Sequence, residues 1–270
     1  MNDLNLVDCC DVNVHFGAHH VLKNVNLTIR PGETVGLVGE SGSGKTTLGR
    51  AILGIGPVSS GEIWFDGENI AGVPPRARKG QAAIQAVFQD PYSSLNPSMT
   101  IEDILTEPIV ARGLASRADA SRQVRKLLDQ VALPSDAAER FAREFSGGQR
   151  QRIAIARALA LSPRLIVCDE PVSALDLSTQ SRVMDLFIEI QERTGVAYLF
   201  VSHDLAAVRH ISHRVAVMRF GEIVEFGECD QVTARPAHDY TRRLLLAAPV
   251  ADPARQAERR AAFRALAMTA

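Results

Sequence analysis

Leu4 and Leu6, then Val12, Val14 and Phe16, then Val25, Leu27 and Ile29 alternate with polar neighbours. A period of two rich in β-branched residues predicts strands of an antiparallel sheet. Thr34–Val38 is a short apolar run that ends at Gly39, the pattern of a buried strand entering a loop, and Thr46–Leu53 follows with helical character. Gly61–Asp66 and the stretch before Gln89 predict further strands. From about Ser98 to Ala160 the period changes: Ile101, Ile104 and Leu105, then Val124, Leu127, Leu128 and Val131 recur at helical spacing without a strand between them. This predicts a helical insertion. Leu165–Cys168 and Ala197–Val201 are apolar runs alternating with helical patterns, which predicts a parallel sheet with helical crossovers and an α/β fold. Gly221–Gly227 suggests a late strand pair, and the Ala- and Arg-rich residues 251–270 a solvated tail beyond a unit spanning 1–250.

Composition narrows the function without naming it. Lys and Arg number 30, Asp and Glu 31, for a formal charge of −1, so no overall basic footprint for nucleic acid exists. Apolar residues at 46% are ample for a core. The best candidate for a membrane span, Ile153–Cys168, is broken by Arg157, Pro163 and Arg164, and the N-terminus lacks the pattern of a signal peptide. Cys9, Cys10, Cys168 and Cys229 form no CxxC pair and read as reduced thiols of a cytoplasmic protein.

Chemistry concentrates in a few segments. Gly39-Glu40-Ser41-Gly42-Ser43-Gly44-Lys45-Thr46 fits G-x-x-x-x-G-K-[ST], and Thr47 follows. Its glycines let backbone N–H groups point at phosphates, and the next helix adds its positive N-terminal end. Lys45 is expected to neutralise the β- and γ-phosphates, and the Thr46 hydroxyl to ligate Mg²⁺. Leu165–Glu170 is an apolar strand ending in two carboxylates; Asp169 is expected at the metal and Glu170 as general base toward water. In Phe145-Ser146-Gly147-Gly148-Gln149, a hydroxyl and exposed N–H groups at a helix start form a second anion site. One nucleotide does not need two such sites in one chain, unless the second serves a nucleotide held by another subunit.

At this point the chain resembles the ABC (ATP-binding cassette) ATPase family. The family's LSGGQ segment stands here as FSGGQ, with Phe145 in place of Leu, and the polar residues that would touch phosphate are kept. The resemblance implies a P-loop NTPase core with a parallel sheet, an N-terminal antiparallel β subdomain and a helical subdomain over about 98–160. It also implies roles for further residues. Gln89 matches the glutamine that senses Mg²⁺ and water, Asp176 in Ser173–Asp176 the loop that contacts the opposite subunit, His203 the switch histidine on the γ-phosphate, and Phe16 the aromatic that stacks on adenine. The implied partners are a second ABC ATPase subunit, identical or paralogous, bound head to tail, transmembrane permease subunits and, indirectly, a solute-binding protein. The implied location is peripheral, on the cytoplasmic face of the membrane.

Two segments point to a branch. Gln89–Pro97 is similar to the Q-D-P-x-x-S-L-N-P segment, and Pro236–Leu245 to the P-x-H-x-Y-T-R-x-L-L element, of the peptide/nickel importer ATPases. The second reads physically as a helix start without evident chemistry. Many members carry a later cysteine cluster; no cysteine follows Cys229, so no iron–sulfur cluster is expected. Arg76, Arg78 and Lys79 read as a solvated loop, and His15, His19 and His20 as a hairpin rather than a metal site. A soluble ABC ATPase of DNA repair or translation, an importer of another solute class and a P-loop small-molecule kinase stand as alternatives.

Overall fold

The computed structural model describes residues 5–78 and 83–247. Leu4, Lys79 and the Ala/Arg-rich tail lie outside the described residues. Strands β1 (Val7–Phe16) and β2 (His19–Ile29) form an antiparallel hairpin, followed by β3 (Thr34–Val38) and helix α1 (Lys45–Leu53). Next come β4 (Ser60–Phe65), β5 (Glu68–Asn69) and β6 (Ile84–Phe88). The helical stretch holds α2 (Pro91–Ser94), α3 (Ile101–Ala111), α4 (Arg117–Gln130) and α5 (Gly147–Leu159). Then follow β7 (Leu165–Asp169), α6 (Leu177–Thr194), β8 (Ala197–Ser202), α7 (Leu205–Ile211), β9 (Arg214–Arg219), β10 (Glu222–Glu228), α8 (Cys229–Ala234) and α9 (Asp239–Ala247).

Two sheets result. The antiparallel one runs β2-β1-β4-β5; the other runs β10-β9-β3-β8-β7-β6, parallel throughout except for the β9–β10 hairpin at one edge. Every residue of β3 and β8 is buried, as a parallel strand covered on both faces requires. Successive side chains separate two cores. Val38, Val87, Ile166, Cys168 and Phe200 face the helices, whereas Leu37, Val167, Leu199 and Val201 face the antiparallel sheet and α1. Among the described residues no helix is long and apolar enough to cross a membrane.

Three sequence expectations change. The N-terminal antiparallel strands form, as β1 and β2, but the alternation along β1 does not hold one parity. Val7 and Cys9 point inward and then Val12 and Val14 do, a parity switch made by an irregular register around Asp11, whose φ is 48°. Gly221–Gly227 lies mostly in β10 alone; its partner β9 precedes it. Arg78 is not on a solvated loop. It is buried and donates to the carbonyls of Val73, Ile52 and Ile70, closing the C-terminal end of α1, while Arg76 is exposed.

A buried ion pair fixes the base of β3. Arg214 at the start of β9 meets both oxygens of Glu33, at 2.5 and 2.8 Å, and also donates to the Thr28 carbonyl on β2. Both side chains are nearly inaccessible. Glu33→Ala leaves the guanidinium buried without its counter-charge. Calorimetric or denaturant unfolding is expected to show a loss of roughly 3 kcal/mol.

Candidate nucleotide site

The site stands at the carboxyl ends of the parallel strands, the edge where open α/β sheets bind ligands. Strand register does the assembly. Val38 pairs with Ser202, Asp169 with Val201 and Phe88 with Asp169. The next residue on each strand is therefore Gly39, His203, Glu170 and Gln89, four groups distant in sequence and adjacent in space.

The loop after β3 wraps the start of α1. Gly39 has φ 157°, and a Cβ there would meet the Met218 carbonyl oxygen at 2.1 Å; Gly44 has φ 109°, and a Cβ there would press on Leu22 at 2.8 Å. A side chain at Gly39 would drive the loop off β9, and one at Gly44 would be strained by its left-handed backbone and press on Leu22. Lys45 is buried, and its ammonium donates to the carbonyls of Gly39 at 2.7 Å and Glu40 at 2.8 Å. Burial lowers its pKa, opposed by the charges of Glu170, Asp169 and Glu40. The Ser43 hydroxyl is buried without a protein partner. The Thr46 hydroxyl donates to Asp169 Oδ1 at 3.0 Å, and Asp169 titrates above the usual carboxylate range because burial outweighs that bond. A cleft of about 210 Å³ opens over the loop, lined by Val21, Ser41, Gly42, Gly44, Lys45, Thr46, Thr47 and Glu170. The orphaned Ser43 hydroxyl, the buried cation and the helix N-terminus fit a polyphosphate.

Glu170, the first residue past β7, has φ 50°, a left-handed conformation that costs a non-glycine residue of order 1–3 kcal/mol. Its N–H donates to the Val201 carbonyl, and its own carbonyl accepts from the Ser173 hydroxyl at 3.1 Å. Its carboxylate lies 3.2 Å from His203 Nδ1. Gln89 is exposed at the end of β6. Phe16 is 53% exposed at the end of β1 and pairs with His19, so it is not a core residue. His15 and His20 stack at 3.9 Å, with His20 bonded to Asn13.

Ser146–Gln149 are not among the residues that line this cleft. Ser146 caps α5, with its Oγ accepting from the Gln149 N–H and the Gln149 side chain accepting from the Ser146 N–H. A Cβ on Gly148 would meet Thr179 Cγ2 at 2.4 Å, so the segment packs on the start of α6. Asp176 caps that helix, accepting from the N–H and hydroxyl groups of Ser178 and Thr179, which hold its carboxyl well below the usual range. Toward Gln89 the link is α2. Arg150 lies over the Tyr92 ring at 4.0 Å, and Arg157 donates to the Ser94 carbonyl.

Sequence reasoning missed two supports of the loop. The Gly221 N–H donates to the Ser43 carbonyl, and the Glu40 N–H donates to the Tyr240 hydroxyl at 3.1 Å. Tyr240 belongs to the Pro236–Leu245 element, so the signal was in view without its chemistry.

Fold and site together define a P-loop nucleotide-binding ATPase. The family model for ABC transporters matches residues 22–173, and the chain belongs to that family. It is 50% identical over 240 residues to a Brucella ovis protein that carries the provisional name of a peptide import ATP-binding protein, covering 88% of this chain and 76% of that one. It is also 50% identical over 242 residues to the glutathione import ATP-binding protein GsiA of Escherichia coli K12, covering 89% of this chain and 39% of GsiA. Among solved structures, cbiO1 from Clostridium perfringens, part of the ABC transporter complex cbiONQ, aligns with a TM-score of 0.78 at 27% identity over 86% of this chain and 92% of that one. A dimeric post-hydrolysis state of the cassette MJ0796 bound to ADP and phosphate aligns with a TM-score of 0.71 at 31% identity, over 83% of this chain and 98% of that one.

Proposed function

We propose that the chain is the ATP-hydrolysing subunit of a membrane importer for peptides or related small solutes such as glutathione or nickel. The observation that carries the catalytic reading is the Glu170–His203 pair, 3.2 Å apart at neighbouring strand ends beside Lys45 and Thr46. Glu170 takes the proton of the attacking water. Its left-handed backbone turns the carboxylate off the strand axis into the cleft. His203 orients that carboxylate and contacts the γ-phosphate. Lys45 offsets phosphate charge, residues Gly39–Thr47 cradle the phosphates with backbone N–H groups, and Phe16 stacks on adenine. Thr46, Asp169 and Gln89 offer the hard oxygen donors that would hold Mg²⁺, which when bound neutralises phosphate oxygens.

Ser146–Gln149 would serve the nucleotide of a second cassette, a copy or a paralogue, whose own segment would complete this chain's site. Asp176 lies at that contact. That Ser146–Gln149 do not line this chain's own cleft supports the head-to-tail pairing, as does the dimeric form of MJ0796. ATP favours the closed pair and loss of the γ-phosphate releases it. The Arg150 and Arg157 contacts to α2 give closure a route to Gln89–Pro97, which would press on separate membrane-spanning subunits at the cytoplasmic face. Import names among the relatives favour this over DNA repair, translation or phosphorylation of a small molecule.

The test is uptake. Cells in which Lys45→Ala replaces the native chain are expected to lose accumulation of labelled di- and oligopeptides or glutathione. Unchanged accumulation of every such solute would remove the cargo assignment.

A further inference from the structure

The Pro236–Leu245 element reaches the phosphate loop through a short chain of polar contacts. Glu225 on β10 accepts from the N–H groups of Ala237 at 2.7 Å and His238 at 3.1 Å. His238 Nδ1 accepts from the Tyr240 N–H at 3.1 Å, so the imidazole caps the start of α9. Arg242 donates back to the carbonyls of Pro236 and Ala237. The turn thus fixed delivers the Tyr240 ring, 3% exposed, against the Arg219 guanidinium, whose carbon lies 4.9 Å from the ring centre. At its tip the phenol oxygen accepts the Glu40 N–H at 3.1 Å.

That N–H belongs to the same planar peptide unit as the Gly39 carbonyl, and the two point in opposite directions. On the far side, the carbonyl accepts from Lys45 Nζ at 2.7 Å. An acceptor bonded to a peptide's N–H polarises the peptide and strengthens its carbonyl as an acceptor on the other side. We propose that Tyr240 is a positioning residue for ATP binding: its hydroxyl sets the plane of the Gly39–Glu40 peptide, and that peptide holds the Lys45 ammonium ready for phosphate. The role rests on the ATPase reading above and goes beyond it. It gives the Pro236–Leu245 element a task, with Glu225 and His238 shaping the turn and Tyr240 touching the loop.

Tyr240→Phe keeps the ring and removes the acceptor. In the full chain, calorimetric titration with ATP and Mg²⁺ is expected to show Kd raised about fivefold, the worth of one hydrogen bond. KM for ATP should rise in parallel and kcat stay within about twofold, since the contact exists before and during reaction alike. Tyr198→Phe is the control. Its hydroxyl is also buried but has no partner and lies in the core, so ATP affinity should not change. Glu225→Ala, which loosens the turn and leaves Tyr240 intact, should weaken ATP in the same direction; it carries the test if Tyr240→Phe melts below the assay temperature. Wild-type affinity in a folded Tyr240→Phe chain, or an equal loss in Tyr198→Phe, would overturn the role of Tyr240 alone. Failure of the wild-type chain to bind ATP would overturn the ATPase reading with it.

Discussion

Glu170→Gln is expected to lower ATP hydrolysis at least about a hundredfold while ATP still binds. Glutamine matches glutamate in shape and can keep both the contact to His203 and the left-handed backbone at this position. It cannot accept a proton. General base catalysis contributes on the order of 10²–10⁴ in rate, so the loss falls on kcat. The nucleotide's phosphates are held elsewhere, by Lys45, Thr46 and the backbone of the loop, so affinity should stay near wild type. Removing one carboxylate from beside Lys45 also removes a negative charge facing the phosphates, which favours retention. Phosphate release and ATP titration on the same preparation separate the two effects. In the proposed pairing, the uncleaved nucleotide should also hold two cassettes closed.

Lys45→Ala should act on the other side of that division and abolish ATP binding at ordinary concentrations. The ammonium is buried at the mouth of α1 and parked on two carbonyls, 2.7 and 2.8 Å away, so little reorganisation separates it from a phosphate. Charge-assisted hydrogen bonds are worth about 1.5–3 kcal/mol each, and two of them correspond to roughly two to four orders of magnitude in Kd. Alanine also leaves the Gly39 carbonyl without the Lys45 donor, while the Glu40 carbonyl keeps the Ser43 N–H. Equilibrium dialysis against ATP reads this directly, and affinity within about threefold of wild type would contradict the role of Lys45. The fold should survive, because Leu48, Ala51 and Ile52, not Lys45, pack α1 into the core.

Much of this was legible in the chain. The phosphate loop, Asp169–Glu170 and the apolar runs of β3, β7 and β8 are stretches of consecutive residues whose pattern needs no neighbour to interpret it. The nearness of Glu170 and His203 follows once β7 and β8 are read as adjacent parallel strands, since each residue lies just past its strand's end. Tertiary dependence marks what was missed. The inward parity of β1 switches at Asp11 because of an irregular register, and no periodicity reports one. Arg78 looks like any loop arginine until the carbonyls at the end of α1 surround it. Tyr240 was conspicuous within its element, but its partner is a backbone N–H two hundred residues away, which no side-chain pattern encodes. Asp176 and Ser146 show the converse: both were singled out for phosphate or partner contact, and both are also ordinary helix caps, a structural role visible in the same residues.

The central claim is that this chain cleaves ATP with water as the acceptor and Glu170 as the base. Isotope tracing tests it most directly: the full chain is incubated with ATP in water enriched in heavy oxygen, and the released phosphate is analysed by mass spectrometry. One heavy oxygen is expected in each phosphate released by the wild-type chain, and almost no phosphate from Glu170→Gln. Phosphoryl transfer to another acceptor, or labelled phosphate from Glu170→Gln at the wild-type rate, would contradict it.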